Sequence, residues 1–178
     1  VGRGAFAGPV VAAAVVLPFE FAYASELNDS KLLTKKKREQ LSALIKLYAV
    51  SYAIAEVSLI EINRYGIGIA AKKAFSQAIG KLNRIPDYLL IDAFRLDNSH
   101  CMKQKAIIHG DRLSVSIAAA SIIAKVYRDK LMDELHLSYP EYNFAENKGY
   151  GTAQHRHMIH EHGLCPLHRT SFNLANFL

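Results

Sequence analysis

The chain has 178 residues, 51% of them hydrophobic, which suits one compact domain with a sizeable core. Its longest uncharged apolar run, residues 10–17 between Pro9 and Pro18, falls far short of the roughly 20 residues a membrane-spanning helix needs, and no secretory leader is visible. Lys and Arg number 22 against 16 Asp and Glu, so the net charge of +6 favours a polyanionic partner, while the two cysteines, Cys101 and Cys165, are too few for a disulfide scaffold and read as reduced cytoplasmic thiols.

In chain order, residues 10–17 form the first clear strand, with proline stops at both ends. Asn28, Asp29 and Ser30 make a turn. Thr34 caps a helix through about Leu47 whose apolar face is Leu41, Leu44, Ile45 and Tyr48. Lys35, Lys36 and Lys37 in its first turn read either as a solvated run or as a phosphate contact. Residues 48–56 alternate as a strand. A short helix over 59–65 breaks at Gly66 and Gly68, and a second runs to about Leu82. Residues 88–91 form a strand ending at Asp92, and 106–108 another ending near Gly110. A long helix spans 114–137, residues 140–151 are an irregular loop, and Thr152 caps a last helix that stops at Gly163. Alternating strands and helices predict an α/β fold with a mixed central sheet flanked by helices, in a single domain over 1–178.

Asp92 stands at the C-terminal end of a strand, where sites form in α/β sheets, although position alone favours a strand-ending Asp that starts a turn. Asp129 carries more information. Val115, Ala119, Ile122 and Val126 form a helical stripe, and Asp129 is its next member. A carboxylate on a face that packs inward needs a cation or a metal, and Lys125 one turn earlier offers the simpler partner. Ala118, Ala119 and Ala120 are small enough to let the helix approach a sheet closely, toward a strand-end carboxylate such as Asp92. Carboxylates from separate elements suit Mg2+ or Mn2+, which prefer oxygen ligands and support phosphodiester hydrolysis.

Gly2-Arg3-Gly4 offers close backbone approach and a phosphate fork, and Asn147-Lys148-Gly149-Tyr150-Gly151-Thr152 sets a cation, an aromatic ring and two glycines before a helix N-terminus. His155, His157, His160 and His162 lack a cysteine pair and read as solvated or capping residues rather than zinc ligands. Nucleotide-triphosphate and nucleophilic-serine motifs are missing.

Together these segments resemble one family, ribonuclease HII. Residues 1–11 (VGRGAFAGPVV) look like its opening motif; Asp29-Ser30-Lys31 with Arg38, Glu39 and Leu41 resembles its second. Residues 116–126 followed by Arg128-Asp129, then Asn147 to Thr152 with His155, and finally Cys165-Pro166, His168-Arg169 and Ser171-Phe172 resemble the others in order. The resemblance implies a ribonuclease H-like fold. It also implies metal-dependent endonucleolytic cleavage of RNA in RNA–DNA hybrids and 5′ of single ribonucleotides in duplex DNA, leaving 5′-phosphate ends. Asp92 and Asp129 match catalytic, metal-binding aspartates. Gly2, Arg3 and Gly4 match the element that reads the ribonucleotide 2′-hydroxyl, and Tyr150 matches a tyrosine that stacks on the neighbouring deoxyribose. Lys31, Asn147 and Lys148 are phosphate-contact candidates. An Asp-Glu pair precedes Val-Gly-Arg-Gly in the family, so the chain is expected to be an N-terminally truncated form that lacks the start of a strand and two carboxylates. Without them, a hybrid-binding module lacking catalysis is the second reading. Ala93 follows Asp92 where glycine is common, a change expected to have little effect. The expected partners are an RNA–DNA hybrid or ribonucleotide-containing duplex and, through residues 173–178 with Phe177 and Leu178, a replication clamp. A cytoplasmic monomer is expected.

Overall fold

The computed structural model describes residues 1–97 and 103–177. The elements run β1 (Val10–Val16), α1 (Lys35–Tyr48), β2 (Ser51–Val57), α2 (Leu59–Gly80), β3 (Tyr88–Asp92), β4 (Lys103–Ile107), α3 (Gly110–Leu113), α4 (Val115–Ser138), α5 (Phe144–Asn147) and α6 (Ala153–His162), with short 3-10 turns between some of them. Among the described residues β1 pairs with β2, and β3 pairs with β4 in parallel, Asp92 lying opposite Ile107. The chain divides into two compact units, one of Val1–Val11, Glu56–Lys73 and Tyr127–Leu178, the other of Ala12–Ala55 and Ala74–Val126.

In the second unit, the Thr34 hydroxyl accepts the Lys37 amide as the helix cap, and Lys37 pairs with Glu26, which accounts for one of the three first-turn lysines. Leu41 and Ile45 of α1 meet Phe21 and Ala119, Ile122 and Ile123 of α4 in one core, with Ala13, Val15 and Ile54 of the β1–β2 sheet against it. Leu41, Ile45 and Ile122 are fully buried, which stabilises the fold by roughly 1.5–3 kcal/mol per side chain. A second cluster packs Leu89, Ile91 and Leu96 on Phe75 and Ile79.

Some boundaries differ from the sequence reading. Tyr48 belongs to α1, and β2 begins at Ser51 with its small members inward: Ser51, Ala53 and Ala55 are buried while Tyr52 and Glu56 are exposed. Strand β4 starts earlier than the apolar signal suggests, because parallel backbone pairing with β3 recruits Lys103 and Lys105. Helix α2 breaks at Gly66 alone (φ +80°, ψ 159°), not at Gly68. Residues 140–151 hold a 3-10 turn and the one-turn helix α5 rather than an irregular loop. Cys101 and Leu178 lie outside the described residues.

The first unit has its own core of Ala7, Met132, Tyr142, Phe144 and Ile159. Val1 and Val11 exchange backbone hydrogen bonds, Val1 N to Val11 O at 2.6 Å and Val11 N to Val1 O at 3.0 Å. Among the described residues no helix is long and apolar enough to cross a membrane.

Candidate nucleic-acid interface and catalytic residues

Within the first unit the Gly2-Arg3-Gly4 segment and the residue 147–152 loop lie side by side. Ala5 bridges Tyr150 in antiparallel fashion, and the Phe6 amide donates to Gly149 O at 2.7 Å. Two fully buried arginines hold this arrangement. Arg128 donates through Nε to Pro9 O (2.9 Å), through Nη1 to Lys148 O (2.8 Å) and through Nη2 to Ala7 O (3.0 Å). Arg169 donates to Gly8 O from Nε (3.0 Å) and Nη2 (2.8 Å), and to Arg3 O from Nη1 (3.0 Å). A guanidinium's fixed fork suits this work, since one side chain satisfies several loop carbonyls that have left regular structure. Burial, then the neighbouring Arg128 charge, lowers Arg169 to about 10, so it remains a cation at neutral pH, and burial likewise lowers Arg128. The Arg128 guanidinium also lies 5.5 Å from the Tyr150 ring centroid.

The glycines follow from the same close packing. Gly2 has φ +85°, and a Cβ there would stand 2.3 Å from Arg128 Nε; Gly149 has φ +79°, and its Cβ would stand 2.5 Å from Ala7 O. Arg3 and Gly4 are exposed, and the Tyr150 residue is half-buried. Lys148 is largely covered and its ammonium pairs with Asp133. Asn147 is buried, with Nδ2 donating to Tyr142 O (2.7 Å) and Oδ1 accepting from Gly149 N (2.8 Å), so its amide staples the loop from inside. Asp129 is 6% exposed on the inward stripe with Ala119, Ile122 and Val126, whereas Val115, the first member of that stripe, is exposed. Its negative charge opposes the effect of burial on Arg128.

In the second unit Asp92 ends β3 and its Oδ1 accepts the Gly110 amide at 3.1 Å. The sequence reading missed what surrounds it. Asp29 is buried and accepts the Lys31 amide (3.0 Å) and Arg112 Nε and Nη2 (3.3 and 3.2 Å). Burial raises its carboxyl, but these donors and the Lys31 and Arg112 charges outweigh it and hold Asp29 below the usual carboxylate range. Asp111 is pushed up, first by burial and then by the charges of Asp29 and Asp92. The only sequence signal for Asp111 was its place after Gly110 at a strand end. The Lys31 side chain is exposed.

Asp92 and Asp129 fall in different units, and among the described residues no group of three or more His, Cys, Asp or Glu is placed to hold a metal ion. The histidines also depart from expectation. His157 pairs with Glu161 on the surface, but His155 is fully buried against His168, a contact that no helical spacing predicts.

Residues 1–175 match the family model described as Ribonuclease HII. A ribonuclease HII of Acetivibrio thermocellus is 48% identical over 177 residues, 99% of this chain and 68% of the relative. Among solved structures, the ribonuclease H2 of Pyrococcus horikoshii OT3 is similar with a TM-score of 0.83 at 24% identity, covering 99% of this chain and 92% of that one. A chain of the PCNA:RNase HII complex from Archaeoglobus fulgidus is similar with a TM-score of 0.77 at 22% identity, covering 98% and 93%. The fold is that of the ribonuclease H-like nucleases. The chain belongs to the ribonuclease HII family, and it is a hydrolase, an endonuclease of the ribonuclease H class that acts on RNA–DNA hybrids.

Proposed function

We propose that the protein cleaves 5′ of ribonucleotides, in hybrids and where one ribonucleotide is embedded in duplex DNA, leaving 5′-phosphate and 3′-hydroxyl ends. The observation that carries this reading is the clamped pair of segments in the first unit, where Gly2-Arg3-Gly4 and Tyr150 lie on neighbouring backbone held by Arg128 and Arg169. In this reading Gly2, Arg3 and Gly4 read the 2′-hydroxyl, the group that distinguishes RNA from DNA at a site. The Tyr150 ring stacks on the adjoining sugar. Arg3 and Lys31, both exposed, meet phosphates. Lys148 has a secondary share, given its pairing with Asp133, and Asn147 acts by holding the loop.

Asp92 and Asp129 are the catalytic carboxylates of the proposal, as oxygen ligands for Mg2+ or Mn2+. Such ions activate water and stabilise the leaving oxygen in phosphodiester hydrolysis. A single ribonuclease H-like domain is part of the same reading, supported by β1, β2, α2 and α4, each of which runs through both units. A cytoplasmic monomer with a replication clamp as partner completes it; the similar Archaeoglobus fulgidus protein was solved in a complex with PCNA.

The test is strand nicking of a DNA duplex with one ribonucleotide, in Mg2+ or Mn2+, by the chain with and without an upstream Asp-Glu segment. Nicking at the ribonucleotide by the extended chain, lost about a thousandfold or more in D92N and D129N, is expected. Folded extended protein that leaves the duplex intact overturns the proposal.

A further inference from the structure

The buried imidazoles of His155 and His168 form a hydrogen-bonded chain whose direction the neighbouring donors determine. The Cys165 backbone amide donates to His168 Nδ1 at 3.0 Å, so that nitrogen is an acceptor and the proton of neutral His168 is on Nε2. The Cys165 carbonyl, 3.3 Å from the same nitrogen, already accepts the His168 amide at 3.0 Å. His168 Nε2 lies 3.1 Å from His155 Nε2, which must then accept, leaving the His155 proton on Nδ1. That proton points to Tyr150 O at 2.9 Å. Every link is thus directional, from the Cys165 amide through two rings to one carbonyl.

Both rings are sealed from water: His155 is 0% and His168 1% exposed. The Tyr142 ring meets His168 edge-on at 4.9 Å, and the Phe144 ring meets His155 edge-on at 5.4 Å. Apolar side chains would fill such a space without the cost of desolvating two imidazoles. The one thing the pair supplies that packing cannot is a directed bond to the backbone of the residue at the nucleic-acid loop.

We propose that His155, backed by His168, is a positioning residue that holds the Tyr150 backbone and so sets where its ring meets the nucleic acid. This rests on the reading of Tyr150 given above. The bond holds the carbonyl, while the Arg128 guanidinium stands near the ring and Asn147 O accepts the Tyr150 amide at 2.9 Å. The Thr152 amide shares the same carbonyl at 2.8 Å. These backbone bonds fix the point from which the ring projects, and the Arg128 contact lies on the ring itself, which favours an interaction that needs orientation.

Asparagine and glutamine separate the two ends of the His155 ring. In H155N the amide nitrogen replaces the Nδ1 donor and keeps the bond to Tyr150, whereas in H155Q the amide reaches only as far as His168. Steady-state nicking of a duplex with one ribonucleotide, by active protein carrying the upstream segment, is measured for these variants beside Y150A. H155Q is expected to raise KM about fivefold, the equivalent of one lost hydrogen bond, with kcat within about twofold. H155N should keep KM within about twofold of the parent, and Y150A should raise it about fivefold or more. If Y150A raises KM but H155Q does not, or if H155N is as impaired as H155Q, the positioning role is overturned while the Tyr150 reading stands. If Y150A leaves KM unchanged, the Tyr150 reading falls and the positioning role with it. Imidazole 15N NMR of the unmutated protein is independent of how the variants fold: Nδ1–H on His155 and Nε2–H on His168 at neutral pH are expected, and the opposite tautomer or a cation at either ring overturns the strut.

Discussion

Ala93 follows the candidate catalytic Asp92 with φ +70°, a left-handed conformation in which a Cβ crowds the backbone. The sequence reading expected little effect from alanine at this point, but the backbone shows why glycine suits it. A93G should stabilise the protein by about 0.5–1 kcal/mol, the relief of strain partly offset by the greater freedom of glycine in the unfolded chain; urea unfolding measures it, and a destabilised variant would contradict the strain. The buried histidines predict a pH response. Burial lowers His168 to about 4, with the His155 charge adding to the effect, and burial likewise lowers His155 despite its bond to Tyr150 O. The neutral form of His168 therefore contributes stability that is complete above pH 6.5, the unfolded value, and is lost as pH falls toward the folded value of about 4, and His155 acts in the same direction. For His168 the loss amounts to roughly 3 kcal/mol across that window. An H168F variant should show a shallower loss of stability between pH 6.5 and 4 than the parent; parallel curves would refute the assignment.

At the scale of elements, helix starts were plain in the chain and loop architecture was not. Thr34 and Thr152 cap α1 and α6 as read, because a side-chain oxygen three residues before an amide is a local relation. The Asp129 stripe was equally legible, since helical periodicity places it regardless of what it faces. The 140–151 segment was not legible: its two short turns are joined at Asn143 and Lys148, with φ of 50° and 51°, and held by contacts with residues far along the chain. Gly149 is the tightest of these joints. G149A combines φ +79° with a Cβ 2.5 Å from Ala7 O, and should cost about 1–3 kcal/mol. Thermal unfolding tests this, and an unchanged midpoint would mean that the loop gives way.

At the scale of the molecule, a net charge of +6 and an exposed Arg3 and Lys31 suit a polyanionic substrate. Affinity for an RNA–DNA hybrid should fall as salt rises, because phosphate contacts release counterions. Replacing Lys31 with Ala should weaken binding at low salt and reduce the slope of log K against log salt by about one unit. Titration at several salt concentrations measures both, and an unaltered slope would remove Lys31 from the phosphate contacts.

The sequence by itself determined the family, the order of α and β elements, the two helix caps and the Asp129 stripe. Each is written in residues close together in the chain or in a run of motifs whose order survives without coordinates. Only the tertiary structure decided that Arg128 and Arg169 clamp the opening segment to the Tyr150 loop, that Asp111 lies within the influence of Asp29 and Asp92, and that His155 is a buried link rather than a surface residue. These relations join positions up to 166 residues apart, and side-chain type carries no address for a partner at that distance. Burial and hydrogen-bond direction assign the role, and both exist only once the chain has folded.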